Sequence, residues 1–466
     1  MSVKRVAIIG GGAAGLINAQ RFTKAGADVV IFEIGTKLGG LWMFGNDSGR
    51  SSAYRSLHIN TTRDATHFDE FPFRTAPKMF PSHEDMAVYL NTFADDNGLR
   101  ERTRFRAEVK RVEPVVEEVD GVSVTKWSVT AADGFEGVFD TVVVATGHLT
   151  EPRMPASLSA FGGELLHSHS YTEPQPFRGK RVLVIGTGNS ALDIAADLAV
   201  VAGRTVISAR SPELIMPKII FGNPVGKYEG MVKKKWLPKD THILVRRIIT
   251  RIVHGRMETW GLQTPKGRTH PISHATLVNH MAYDRVKVRP GIRTISDRAV
   301  TFTDGTREEF DTIIAATGYD LSFPFFDESI VSLDSGGSLN LYGRAVSPRW
   351  PGLYFAGYFN TTGLSNLRID DYQSRWFVAL ETGKTILPDL ATMRAEIDEV
   401  KVWVKRRYPN TPRYAFELDP PLYLKFLQQE ERLGPKRIAE SGRPAAFLAA
   451  NRSAADRSTL RSASAA

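Results

Sequence analysis

Ten residues near the N-terminus, Val6-Ala7-Ile8-Ile9-Gly10-Gly11-Gly12-Ala13-Ala14-Gly15, constrain the fold more than any other stretch. An apolar run of strand length opens into a G-x-G-x-x-G turn and then into a helical pattern. The first glycine permits the sharp turn, the second lets backbone approach a pyrophosphate, and the third lets the helix pack closely on the strand. The leftover helix N–H groups then point at the phosphates. Such runs also close ordinary strand–helix turns, so context decides. Asp28-Val29-Val30-Ile31-Phe32-Glu33 reads as a second strand ending in an acid, at the spacing where a carboxylate accepts hydrogen bonds from ribose hydroxyls.

Composition narrows what such a chain does. With 466 residues, 42% hydrophobic and 24% charged, it can build two or three ordinary domains. There is no cysteine, which removes disulfides, thiolate metal sites, cysteine nucleophiles and redox dithiols from consideration. No apolar run approaches the roughly 18 residues of a membrane span, and residues 1 to 9 are taken up by the first strand, leaving no room for a cleavable signal; a cytoplasmic protein is expected. The net charge of +9 is spread along the chain, with local clusters at Lys233-Lys234-Lys235 and Arg246-Arg247. Polyphosphate cofactors account for it, and no nucleic-acid module is visible.

Taken in order, the chain next presents Gly39-Gly40-Leu41-Trp42 and the polar segment Tyr54 to Thr62. Asn60 in that segment is either an ordinary turn residue or, beside a heterocycle, a group that donates to one atom and accepts from another. Residues 84–97 have the spacing of an amphipathic helix ended by Gly98. Residues 102–147 alternate as strands with breaks at Asp120-Gly121 and Asp133-Gly134, closing on Phe139-Asp140-Thr141-Val142-Val143-Val144-Ala145-Thr146-Gly147. That ending recurs as Phe310-Asp311-Thr312-Ile313-Ile314-Ala315-Ala316-Thr317-Gly318. Between the two lies a second turn, G-x-G-x-x-A at Gly186, Gly188 and Ala191. The chain therefore carries two Rossmann-like units, one embedded in the sequence of the other. Counted from Gly26 and Gly203, Arg210 takes in the second unit the place of Glu33 in the first. An acid there suits free ribose hydroxyls and an arginine suits a 2′-phosphate, which assigns FAD to the first turn and NADPH to the second. Read alone, Arg210 also fits an ordinary strand-end cation.

The linker residues Phe161, Gly163, His167 and Tyr171 fit F-x-G-x-x-x-H-x-x-x-Y. With the two glycine turns, Gly39-Gly40-Leu41-Trp42, the Asn60 segment and both Ala-Thr-Gly strands, the chain resembles the flavin-containing monooxygenases over nearly its whole length. The resemblance implies an α/β fold of the glutathione-reductase type, with an FAD-binding domain from residues 1–170 and 319–440 and an inserted NADPH-binding domain, 171–318. The tail from 441 lacks periodicity and is expected to be poorly ordered or docked elsewhere.

Carried over residue by residue, the resemblance puts FAD against Gly10, Gly12, Ala14, Gly15, Glu33, Lys37, Gly40, Leu41, Trp42, His58, Asn60, Thr61, Val109, Ala145, Thr146, Gly147 and Gln373. It puts NADPH against Gly186, Gly188, Asn189, Ser190, Arg210, Thr317 and Gly318. Asn60 becomes the catalytic candidate beside the flavin and nicotinamide. His167, by its own chemistry a core histidine, becomes a linker residue tied to domain movement. Gln373 is expected at the start of a helix opening with Asp371 and facing the flavin; by itself it reads as a capping or solvent-facing glutamine. The implied reaction is NADPH- and O2-dependent oxygenation of a soft nitrogen or sulfur atom through a C4a-hydroperoxyflavin, in an enzyme that by family habit is a homodimer. Baeyer–Villiger oxidation of ketones is the alternative, disfavoured by Tyr171, where those enzymes usually carry Trp or Pro; a flavin-dependent NADPH reductase is a further one. The apolar positions of 243–253 recur at helical spacing, and such a helix either lies on a membrane surface or, as favoured here, packs on its own domain.

Overall fold

The computed structural model describes residues 4–74, 78–119, 122–232, 241–270, 272–361, 364–409 and 411–441. The Asp120-Gly121 break, the lysine cluster at 233–235 and the tail from 442 lie outside these.

Strand β1 (Arg5–Ile9), helix α1 (Ala13–Lys24) and strand β2 (Asp28–Glu33) form the expected first turn. β1 sits at the centre of a five-stranded parallel sheet, between β2 and Thr141–Val144, with Thr103–Phe105 and Leu353–Phe355 at the edges. A second five-stranded parallel sheet repeats this order, with Arg181–Ile185 at its centre between Arg204–Ser208 and Thr312–Ala315. Its edges are Val286–Arg289 and Glu164–His167. Each unit adds a three-stranded antiparallel sheet, Val109–Phe139 in the first and Ile292–Glu309 in the second. The repeat extends to single hydrogen bonds. Asp140 accepts from the backbone N–H of Arg5 at 2.8 Å, and Asp311 accepts from that of Arg181 at 2.8 Å. This is why Phe-Asp-Thr recurs: the aspartate ties the start of the last strand to the start of the central one.

One boundary differs from expectation. The strand Glu164–His167, placed by sequence in the first domain, pairs with Thr312–Ala315 in the second sheet. The two crossings between the units are stitched together by the antiparallel pair Glu151–Pro152 and Tyr319–Asp320.

Helix α2 (His83–Asp96) begins where Ser82 and Asp85 form a reciprocal capping box. It buries Met86, Tyr89, Leu90 and Phe93, the i, i+3, i+4, i+7 stripe, each side chain contributing about 1.5–3 kcal/mol of burial. The helix expected to open at Asp371 starts five residues earlier and spans Asn366–Glu381, because Ser365 caps it by accepting from the N–H of Leu367. It packs on α1 through a buried ion cluster in which Arg21 donates to Asp371 at 2.7 Å. The helix Thr241–His254 packs on its own unit, as favoured, with His254 Nδ1 on the carbonyl of Ile215 at 3.0 Å, but not through its most apolar stripe. Among the described residues its face carrying Arg246 and Thr250 is buried, while Leu244, Ile248 and Ile252 are exposed. A guanidinium also anchors it: Arg247 donates to the carbonyls of Pro265, Lys266 and Gly267. No helix among the described residues is long and apolar enough to cross a membrane.

Candidate active site

The carboxyl ends of the first sheet open onto a cavity of about 540 Å³, within the usual size of a ligand site. Its floor is the first glycine turn. Gly10 has φ +108°, and a Cβ there would stand 2.5 Å from the carbonyl oxygen of Ala145. A Cβ on Gly15 would stand 1.9 Å from the carbonyl oxygen of Gly10, so this glycine lets helix lie on strand and stays outside the cavity. The Gly39-Gly40 segment folds over the turn, with Gly39 N–H donating to Gly11 at 2.9 Å. A Cβ on Gly40 would meet the Cα of Gly12 at 2.9 Å, so only glycine allows this contact.

Helix α1 offers its first turn bare. Its N-cap is Gly12, no side chain caps it, and its first turn has no acid. The helix α3 (Asn189–Leu198) of the second unit is the same, with Gly188 at its N-cap. By contrast α2, Asn366–Glu381 and Leu390–Arg407 are all capped by side chains, from Ser82, Ser365 and Asp389. Two uncapped helices at two glycine turns are two electropositive sites with free N–H donors.

Glu33 is buried, with its carboxylate accepting from the N–H groups of Gly11 and Gly35, each at 2.8 Å. Burial raises its pKa, and those two hydrogen bonds oppose the rise. Each oxygen keeps a lone pair for a further donor, so the expected ribose contact is compatible with this geometry. Trp42, Leu41, Gly12, Ala14, His58, Asn60, Thr61, Val109, Ala145, Thr146 and Gly147 all line the same cavity. Asn60 is exposed to it, while Thr61 is paired with Thr66 and Thr146 with Tyr358. Lys37 is exposed and lies off the cavity wall.

Two expectations are corrected here. Gln373 sits in the second turn of its helix, fully buried and donating to the Tyr423 hydroxyl at 2.7 Å, and does not line the cavity. The helix residues that do are Ser365, Asn366, Leu367 and Asp370. Arg210 does not occupy the place of Glu33. Gly10 N–H donates to Phe32 and Gly186 N–H donates to Ser208, so the structural counterpart of Glu33 is Ala209. Counting from the glycines misleads because Gly26 precedes its strand by two residues and Gly203 by one. Arg210 lies one residue farther out, exposed and with no hydrogen bond or ion pair among the described residues.

The sequence model of the flavin-binding monooxygenase-like family matches residues 3–430. The chain belongs to the flavin-containing monooxygenase family. Flavin-containing monooxygenase 3 of Homo sapiens is 32% identical over 427 residues, covering 87% of this chain and 78% of that one. Flavin-containing monooxygenase 5 of Oryctolagus cuniculus is 31% identical over 438 residues, covering 90% and 81%. The structure of S-allyl-L-cysteine S-oxygenase from Allium sativum aligns with a TM-score of 0.68 at 26% identity, over 94% of this chain and 93% of that one. Cyclohexanone monooxygenase in a closed crystal structure gives a TM-score of 0.68 at 18% identity, over 95% and 98%, and shows the shared fold alone.

In this monooxygenase the linker fingerprint residues are held against the second unit. Phe161 is buried in the core of the second unit, and a Cβ on Gly163 would stand 2.7 Å from the carbonyl oxygen of Asp311. His167 is buried, its Nδ1 accepting from His169 N–H at 3.0 Å and its Nε2 meeting the carbonyl of Gly318 at 3.1 Å. Burial lowers its pKa, and the N–H that Nδ1 accepts places the neutral ring's proton on Nε2, facing the Gly318 carbonyl. Tyr171 donates to Asp197 of α3 at 3.1 Å. Thr317 donates to the carbonyl of Arg153, so its hydroxyl and Gly318 serve the stitch between the crossings. Of the second unit's expected contacts only Asn189 reaches the cavity wall, bringing a buried Oδ1 that has no partner among the described residues. Gly186, Gly188 and Ser190 stay beside it on the second turn.

Sequence reasoning missed Asp370. It lines the cavity 4% exposed, its Oδ1 has no hydrogen-bond partner among the described residues, and its pKa is pushed up to about 8, by burial first and the Asp371 charge second. The signal was present as an acid interrupting the stripe Leu367, Asp370, Ser374, Phe377. His270, also on the wall, was missed because its partner Glu417 is 147 residues away.

Proposed function

We propose that this monooxygenase binds FAD in the cavity and NADPH on the second turn, and oxygenates soft nitrogen or sulfur atoms of small molecules. The observation that carries the reading is convergence: the first glycine turn, the Asn60 loop and Asn189 from the second turn border one space. The donor set fits the cofactors. Bare α1 N–H groups and the Gly10–Gly12 cradle suit a pyrophosphate, Glu33 suits a ribose, and the orphaned Asp370 Oδ1 suits a hydroxyl. The free Arg210 suits a 2′-phosphate beside the bare α3 terminus.

Bound there, FAD and NADPH supply the hydride and oxygen chemistry, and the protein supplies placement and water exclusion. Asn60, with no side-chain partner of its own among the described residues, is the group placed to hydrogen-bond the cofactors. Support for nitrogen and sulfur as targets comes from names in the family: dimethylaniline monooxygenase [N-oxide-forming] 4 of Mus musculus is 31% identical, and the Allium enzyme is an S-oxygenase. The test is NADPH consumption with a panel of amines, sulfides and cyclic ketones, products being identified. N-oxides or sulfoxides are expected. Lactones alone would move the enzyme to Baeyer–Villiger chemistry, and NADPH consumption without oxygenated product would make it a reductase.

A further inference from the structure

We propose that His270, oriented by Glu417, is a general base that takes the proton from a protonated amine substrate inside the cavity; this rests on the nitrogen-oxygenating reading above. His270 lines the cavity and its side chain is 23% exposed. Its Nδ1 lies 2.9 Å from Glu417 Oε1, a carboxylate that is 1% exposed and whose second oxygen has no partner among the described residues. Glu417 stands directly behind the cavity wall, because its strand pairs in parallel with Asn360–Thr361, which are wall residues. With Nδ1–H donated to Glu417, the accepting atom of the neutral ring is Nε2, which has no partner among the described residues.

Charges of both signs surround the His270–Glu417 pair. A second buried acid, Glu213, lies within electrostatic range of His270; burial pushes its pKa up to about 7, and it is paired with Arg413 at 3.4 Å. Arg268, two residues before His270, is taken up by Asp419 at 3.6 Å and by the ring of Tyr408. Arg344 contributes a further positive charge near Glu417. The other cavity histidines lack this arrangement. His58 meets only the backbone carbonyl of Ser56, and His148 has both nitrogens occupied, by Gly357 and Asn360.

The chemistry requires such a group for amines and not for sulfides. An alkylammonium titrates near about 10, so at neutral pH it holds its lone pair in an N–H bond and is no nucleophile. Transfer breaks that N–H bond and forms Nε2–H, leaving a neutral amine and an imidazolium stabilised by Glu417. The proton then leaves to solvent from the part-exposed ring. A sulfide carries no proton and needs no base.

The test compares the holoenzyme with His270→Asn, using N,N-dimethylbenzylamine and benzyl methyl sulfide as matched probes, with FAD content and melting temperature as fold controls. The expected result is a fall of about tenfold or more in kcat/KM for the amine at pH 7, several-fold beyond any fall for the sulfide. The acid limb of the amine's pH profile should move towards the amine's own pKa, with the sulfide profile unmoved. Glu417→Gln should give a smaller loss of the same amine-selective kind. Equal losses for both probes, or an unmoved amine profile, overturn the base. A wild type that oxygenates the sulfide and never the amine overturns it while the oxygenase reading stands; a wild type inert to both overturns the oxygenase reading first.

Discussion

The two glycine turns are near copies in backbone and differ in what surrounds them. Gly10 and Gly186 share a strongly positive φ, and each would drive a Cβ to 2.5 Å from the equivalent carbonyl, Ala145 or Ala316. Around the first turn the chain closes a cavity with buried acids, Glu33 and Asp370. Around the second it leaves Gly188 in open space and Arg210 exposed. The same glycine-turn backbone is thus set once in an acid-lined cavity, as the proposed resident cofactor would need, and once at an open surface, as the proposed exchanging one would need.

The largest expected effect breaks the first copy and spares the second. Gly15→Ala puts a methyl against the Gly10 carbonyl and should cost more than about 4 kcal/mol, seen as lost FAD content and a collapsed melting transition. Gly188→Ala meets nothing within 4 Å at an ordinary backbone angle, so its melting temperature should hold while KM for NADPH rises. Equal destabilisation would erase the contrast between closed and open turns.

Next is Asp370, whose folded-state pKa of about 8 exceeds the ordinary carboxyl value. Between about pH 4 and 8 the native protein holds a proton that the unfolded chain has released, so stability falls as pH rises through this window. Asp370→Asn should abolish that fall in the FAD-free protein, gaining on the order of a few kcal/mol at pH 8 and little at pH 4. Denaturant titrations that keep the same pH slope in the variant would show that the carboxyl is not held protonated.

Arg210→Ala tests the open turn. The ratio of kcat/KM for NADPH over NADH should drop by about tenfold, the loss of one charge-assisted phosphate contact. A constant ratio would leave Arg210 a strand-end cation. The smallest effect on stability is expected for Asn60→Ala, an exposed side chain whose loss should stay within about 0.5 kcal/mol. Its signature is chemical: more H2O2 released per NADPH consumed. Coupling equal to wild type would remove Asn60 from the active group.

Most of the fold was legible because it is written in local rules. Glycines at Gly10, Gly12 and Gly15, the apolar strand cores and the repeated Phe-Asp-Thr each impose geometry on their immediate neighbours. The cavity at the first turn was legible for the same reason, since its floor and the Gly39-Gly40 cover are backbone contacts only glycine permits. The misreadings arose where a count or a periodicity stood in for a contact. Arg210 was shifted by a one-residue difference between two turns, and Gln373 by the unseen cap at Ser365. In Thr241–His254, a helix apolar on several sides, periodicity alone could not say which stripe faces inward.

By itself, the sequence determined two glycine turns in two units, because steric limits on the backbone act over a few residues and leave readable glycines. Only the tertiary structure decided which acids are buried and unpaired, as Asp370 is, and which distant groups meet, as His270 and Glu417 do. Burial and long-range pairing depend on how whole elements pack, and the identity of a side chain does not record what will be placed against it.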